Sequence, residues 1–206
     1  MKFYLSSYKL GNEVKKLKKM TPKNRRTAYI SNALDYSTDL AMRKKKDRAG
    51  INQLNSVGLK AEIIDLRQYF GKSKELQKKL TEFGAIWIRG GNTFVLRQAM
   101  KLSGFDKIFK TLIKKKDILY GGYSAGICIL APSLHGLELM DDKTQKPYGK
   151  KSKIIWEGLG VLDYYIVPHY KSNHPEAKLV NKTVQYFIDN KILFKVLRDG
   201  EVIIIE

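Results

Sequence analysis

Short runs of β-branched and aromatic residues alternate with longer stretches of helical periodicity through the first 130 positions of the chain. Phe3 to Ser7, Thr27 to Ser31, Ala61 to Leu66, Ala85 to Ile88 and Asp117 to Gly122 predict five strands. Between them, apolar positions recur at helical spacing over 10–20, 37–57, 73–82, 93–102 and 105–116. Strands separated by helices of this length predict βαβ units, hence a mostly parallel sheet with right-handed crossovers and helices on both faces. Ligands are then expected at the carboxyl ends of the strands. Beyond residue 131 the pattern loosens. Pro132 to Lys153 is polar and irregular, and a strand near 161–167, a helix near 175–190 and two short runs, Ile192 to Leu197 and Glu201 to Ile205, complete the chain. The expectation is one α/β domain over 1–206, without repeat or linker.

Composition narrows the class. The 206 residues carry 39 Lys+Arg against 20 Asp+Glu, a formal net charge of +19. With 43% hydrophobic residues the chain is neither a disordered polymer nor a membrane protein. The one cysteine, Cys128, excludes an internal disulfide and a Cys-rich zinc fold. No apolar run approaches the roughly 18 residues of a membrane span, and the start is too short in apolar residues for a signal-peptide core. A cytoplasmic protein without a membrane partner is expected. The basic residues are scattered as Lys15-Lys16, Lys18-Lys19, Arg43 to Lys46, Lys114 to Lys116 and Lys150-Lys151. Scattering of this kind makes solvated helix faces rather than one nucleic-acid stripe, so nucleic-acid binding is expected to be weak and steeply salt-dependent. A basic surface still attracts small anions.

The sharpest local signal is Gly122-Tyr123-Ser124-Ala125-Gly126, after an apolar strand and before a small-then-apolar run. A serine on a strand-to-helix elbow needs glycines on either side to avoid clashes, and the next N–H, here Ala125, can stabilise developing negative charge. Arg89-Gly90-Gly91-Asn92-Thr93-Phe94 is a second glycine-rich strand end. It reads either as an ordinary helix entry capped by Asn or Thr, or as a backbone that can approach a substrate, with one of the Gly90 and Gly91 N–H groups offered to it. Three histidines compete as base. His169 ends the apolar run Tyr164 to Pro168 at a strand end, His135 lies in the irregular stretch, and His174 precedes Pro175 at a helix entry. The acid that would orient the base is Asp199, although Asp199-Gly200 is also a favoured hairpin turn, and Glu138, Asp141 and Asp142 compete.

Gly90-Gly91-Asn92-Thr93-Phe94, the Ser124 elbow, Val167-Pro168-His169-Tyr170 and Leu197-Arg198-Asp199-Gly200 occur in this order along the chain. Together they resemble the peptidase E family of serine peptidases, which includes aspartyl dipeptidases and is related to cyanophycinases. The resemblance implies a flavodoxin-like, class I glutamine amidotransferase-like sheet. It places the nucleophile on Ser124, the base on His169, the acid on Asp199 and the oxyanion donors on Gly91 and Ala125. The order Ser…His…Asp also differs from that of α/β-hydrolases. The implied activity is that of a serine exopeptidase on short peptides, with an acidic first residue as one substrate class and no metal or organic cofactor. Two other readings stand beside it: an esterase or amidase using the same serine, and a non-catalytic protein binding a small anion or nucleic acid. The chain departs from the family in two respects. Arg89 stands where a third glycine is usual, and between His169 and Asn190 there is no arginine, only Lys171, Lys178 and Lys182. A lysine lacks the bidentate fork, so with only these lysines, or Arg89 at the strand end, to hold an acidic side chain, a preference for Asp over Asn at the first position of only about tenfold is expected. These patterns leave the oligomeric state open.

Overall fold

The computed structural model describes residues 1–149, 153–175 and 177–206; Lys150, Lys151, Ser152 and Glu176 lie outside the described residues. The amino-terminal half runs β1 (Lys2–Ser6), α1 (Val14–Met20), β2 (Arg26–Ile30), α2 (Leu40–Ser56), β3 (Lys60–Ile63) and α3 (Ser73–Leu80). It continues with β4 (Ala85–Ile88), α4 (Thr93–Ser103), α5 (Phe105–Leu112), β5 (Leu119–Tyr123) and a single-turn helix α6 (Ala125–Cys128). The remainder supplies β6 (Tyr165–Val167), α7 (Ala177–Asp189), β7 (Phe194–Val196) and β8 (Val202–Ile205). The main sheet has the order β3-β2-β4-β5-β1-β8, all parallel except the edge strand β8. β6 and β7 form a separate parallel pair.

Alternation along the strands explains the two faces. Tyr4, Tyr29, Trp87 and Leu119 point to one side and pack with Leu17 and Met20 of α1 and Leu54 of α2. Phe3, Leu5, Ala28, Ile30, Ile86, Ile88 and Tyr120 point to the other, where α3, α4, α5 and α6 cover them. Strands buried on both faces read as continuous apolar runs, which is why β2 and β4 were legible as such. Gly121 breaks the run for a packing reason. A Cβ there would lie 2.2 Å from the ring of Trp87, which is 2% exposed.

Several boundaries differ from expectation, and hydrogen bonding explains those nearest the site. The third strand stops at Ile63 rather than Leu66, because Asp65 accepts from the Arg67 N–H and turns the chain. The predicted strand near 161–167 shortens to Tyr165–Val167. Its first part docks elsewhere: the N–H groups of Val161 and Leu162 donate to the Leu130 carbonyl at 2.9 and 3.1 Å. Asp199-Gly200 is not a hairpin, since β7 pairs with β6 while β8 pairs with β1. The dipeptide instead carries the chain from one sheet to the other. Among the described residues no helix is long and apolar enough to cross a membrane.

Candidate active site

The register of the strands gathers the site at one edge of the sheet. Ile88 lies beside Gly122 and Ser6 beside Tyr123, so Arg89, Ser7 and Ser124 leave their strands together. β8 runs the other way and starts at this edge, with Val202 beside Ser6. The parallel pair ends here too: Val167 lies beside Val196, and Tyr170 N–H donates to the Leu197 carbonyl at 3.0 Å. His169 and Asp199 follow those ends.

Ser124 sits at φ 51 and ψ −120, a conformation that a residue with a side chain normally avoids, and its hydroxyl does not cap α6. The surroundings hold it there. A Cβ on Gly126 would lie 2.1 Å from the Ile88 carbonyl oxygen, so only glycine lets the chain turn back so closely over β4. On the neighbouring strand end, Gly91 has φ 148 and its missing Cβ would meet the Ala33 carbonyl at 2.4 Å. Asn92 then caps α4 by accepting from Val95 N–H at 3.0 Å. The glycine-rich stretch is therefore a helix entry whose Gly90 and half-buried Gly91 also line the cleft. Among the described residues, neither Gly91 N–H nor Ala125 N–H donates to another backbone group outside the regular elements.

His169 is 1% exposed and also has a positive φ, 62. Its Nδ1 lies 2.7 Å from Asp199 Oδ1. The carboxylate accepts there, so the ring proton is on Nδ1 and Nε2 is left with a lone pair. Ser7, which sequence reasoning passed over, holds both partners. Its hydroxyl donates to Asp199 Oδ1 at 2.9 Å and accepts from the His169 N–H at 2.9 Å. Asp199 N–H in turn donates to the Ser172 hydroxyl at 2.8 Å. The one available signal was a small hydroxyl residue at a strand's carboxyl end. Ser7→Ala leaves a buried N–H and a carboxylate each short of a partner, at a cost of about 1–3 kcal/mol. We expect a urea midpoint lowered accordingly and a roughly tenfold loss in kcat with KM little changed.

The competing residues are placed apart from His169. Glu138 accepts from Gly136 N–H at 2.6 Å, Asp141 accepts from Thr93 N–H at 2.9 Å, and Asp142 accepts from Thr144 N–H at 2.8 Å. His135 stacks on Trp156 at 4.1 Å. His174, by contrast, comes to the site. Its ring is parallel to that of His169 with centroids 3.7 Å apart, and Tyr8 stands edge-on to both.

Burial is the main influence on the His169 imidazole and pushes its pKa down; the Asp199 hydrogen bond opposes this, and His174 adds to the lowering. The net direction is below the ordinary 6.5. A base must be neutral to act, and a lowered pKa keeps it neutral to lower pH. The acid limb of kcat/KM is therefore expected below pH 6.5, with activity lost as pH falls through it. A limb above neutrality in a pH profile would contradict this.

Ser124, His169, His174, Gly90 and Gly91 line one cleft of about 560 Å³. Its cations are Lys9, Lys45, Lys46 and Arg89. Lys171, Lys178 and Lys182 are not part of this lining. A second cavity, about 520 Å³, lies by Arg26 and Lys60 at the amino ends of the strands, the edge opposite the elbow.

A parallel α/β sheet with a serine elbow and a buried histidine paired with a half-buried aspartate at the same edge is the arrangement of a serine-type hydrolase. The comparisons give the family. Residues 6–206 match the model of peptidase family S51. The chain belongs to this family, that of peptidase E, and is a serine-type peptidase. An uncharacterized peptidase of Listeria monocytogenes is 31% identical over 149 residues, 72% of this chain and 68% of that one. One of Pasteurella multocida is 31% identical over 55% of this chain and 52% of its own length. Among solved structures, a candidate peptidase E protein from Listeria monocytogenes EGD-e superposes with a TM-score of 0.74 at 24% identity, over 100% of this chain and 98% of that one. A peptidase from an acI-B1 Actinobacterium gives 0.71 at 12%, over 100% and 83%. These two likenesses establish the fold.

Proposed function

We propose that the protein is a serine exopeptidase that hydrolyses short peptides, those with an acidic first residue among them. Ser124 Oγ attacks the scissile carbonyl and His169 Nε2 takes its proton. Asp199 fixes the tautomer and stabilises the imidazolium. The N–H groups of Gly91 and Ala125 hold the oxyanion, and His169 returns the proton to the leaving amine. The acyl-enzyme is then hydrolysed by a water that His169 deprotonates. The reading is carried by the 2.7 Å contact of Asp199 with His169, which lines the same cleft as the elbow serine.

The experiment is a side-by-side measurement of kcat/KM for Asp-Leu, Ala-Leu, the N-acetyl derivative of each and a p-nitrophenyl ester. An exopeptidase cleaves the free dipeptide and loses most of that rate on acetylation. Turnover of the ester alone would favour the esterase, and turnover of none a binding protein.

A further inference from the structure

A guanidinium is seldom buried without a full set of acceptors, because an unpaired buried charge is costly. Arg89 departs from this rule. It is 7% exposed, and its Nε and Nη1 are buried without a hydrogen-bond acceptor. The nearest carboxylate, Asp47 on α2, stands 3.6 Å from Nη1, an ion-pair distance outside hydrogen-bond reach. Asp47 is shared besides: its Oδ2 accepts from the Ser31 hydroxyl at 3.1 Å, and its Oδ1 is left without a donor. Burial pushes the guanidinium pKa down, but Tyr123, Tyr29 and Asp47 more than offset this, so the charge is kept beside phenols and a 3.6 Å ion-pair partner rather than on a hydrogen-bonded carboxylate.

Its position is what makes this useful. Arg89 lines the same cleft as Ser124. The adjoining Gly90 abuts the elbow so closely that a Cβ on it would lie 2.8 Å from Ser124 Cβ. Solvent-exposed Lys9, Lys45 and Lys46 add positive charge to the lining, and none of the described residues in it is acidic. An anion drawn in by the lysines meets, next to the elbow, a charge in a lower-dielectric setting with a fork suited to a carboxylate.

We propose that Arg89 forms a carboxylate-binding subsite of this cleft, which takes either an acidic side chain or the terminal carboxylate of a short peptide. Asp47 tunes the subsite by holding part of the charge. The choice of ligand rests on the peptidase reading, but the test does not require turnover. Binding of Asp-Leu, Asn-Leu and Asp-Leu-amide is measured by calorimetry in the Ser124→Ala protein. Asp-Leu is expected to bind about tenfold or more tightly than one of its neutralised analogues. Discrimination against Asn-Leu assigns the side chain, and discrimination against the amide assigns the terminus. Adding Arg89→Met should reduce the ratio to below about twofold, whereas adding Asp47→Asn should widen it. Absence of any preference in Ser124→Ala, or a preference that Arg89→Met leaves intact, overturns the subsite. If Arg89→Met does not fold by circular dichroism, an unchanged ratio in Asp47→Asn overturns it alone. Failure of the peptidase reading is a separate result, absence of peptide turnover in the wild type, and leaves these binding ratios standing.

Discussion

Ser124→Ala is expected to lower kcat by about 10⁴-fold or more on any good peptide substrate, since removing a nucleophile from a unit of this kind leaves only binding and oxyanion stabilisation. The fold should not change. The Ser124 hydroxyl does not cap α6, and the turn is held by Gly126 packing against the Ile88 carbonyl rather than by the hydroxyl. Steady-state kinetics beside a urea titration separates the two effects. An unchanged midpoint with activity at background is the expected pair of results. More than about a tenth of wild-type activity would make the elbow a structural turn, because such losses in true triads are far larger.

Asp199→Asn carries the second largest effect, about 10³–10⁴-fold in kcat. Asp199 Oδ1 accepts from both His169 Nδ1 and the Ser7 hydroxyl, at 2.7 and 2.9 Å. An amide in its place can turn its NH₂ toward Nδ1, which moves the ring proton to Nε2, where it blocks acceptance of the serine proton. The contacts are nearly isosteric, so stability changes little and KM stays within a few-fold. Asp141→Asn and Asp142→Asn provide the control. Asp141 sits on the α4 entry and Asp142 in a turn with Thr144, and neither substitution should reproduce the loss. If one of them did while Asp199→Asn stayed active, the relay acid would be misassigned.

Much of this arrangement was legible in the residues because local pattern and tertiary position agree there. β1, β2, β4 and β5 are apolar on both faces, and Gly122, Ser124 and Gly126 are spaced as an elbow requires. His169 stood out because it ends an apolar run. The pattern failed where the partner of a segment is remote in sequence. Nothing local distinguishes Ser7 from any other serine, since its role depends on β8 and the His169 turn arriving beside β1. Asp199-Gly200 has the chemistry of a hairpin, and only the separate pairing of β7 and β8 makes it a crossing between sheets. Arg89 is legible as a cation at a strand end, but its burial is not, because that depends on α2 bringing Asp47 over it. Lys171, Lys178 and Lys182 looked like substitutes for the missing arginine by position in the chain, but the cleft takes its cations from the turn after β4, from α2 and from the turn after β1.

The central claim is that Ser124 is a nucleophile activated by His169, and covalent labelling reads this without knowledge of the substrate. Wild-type protein, Ser124→Ala and His169→Ala are treated with a small fluorophosphonate and examined by intact mass and peptide mapping. A single adduct on Ser124 is expected in the wild type, none in Ser124→Ala, and labelling slowed by orders of magnitude in His169→Ala. An adduct on another residue, or equal labelling of Ser124 with and without His169, would contradict it.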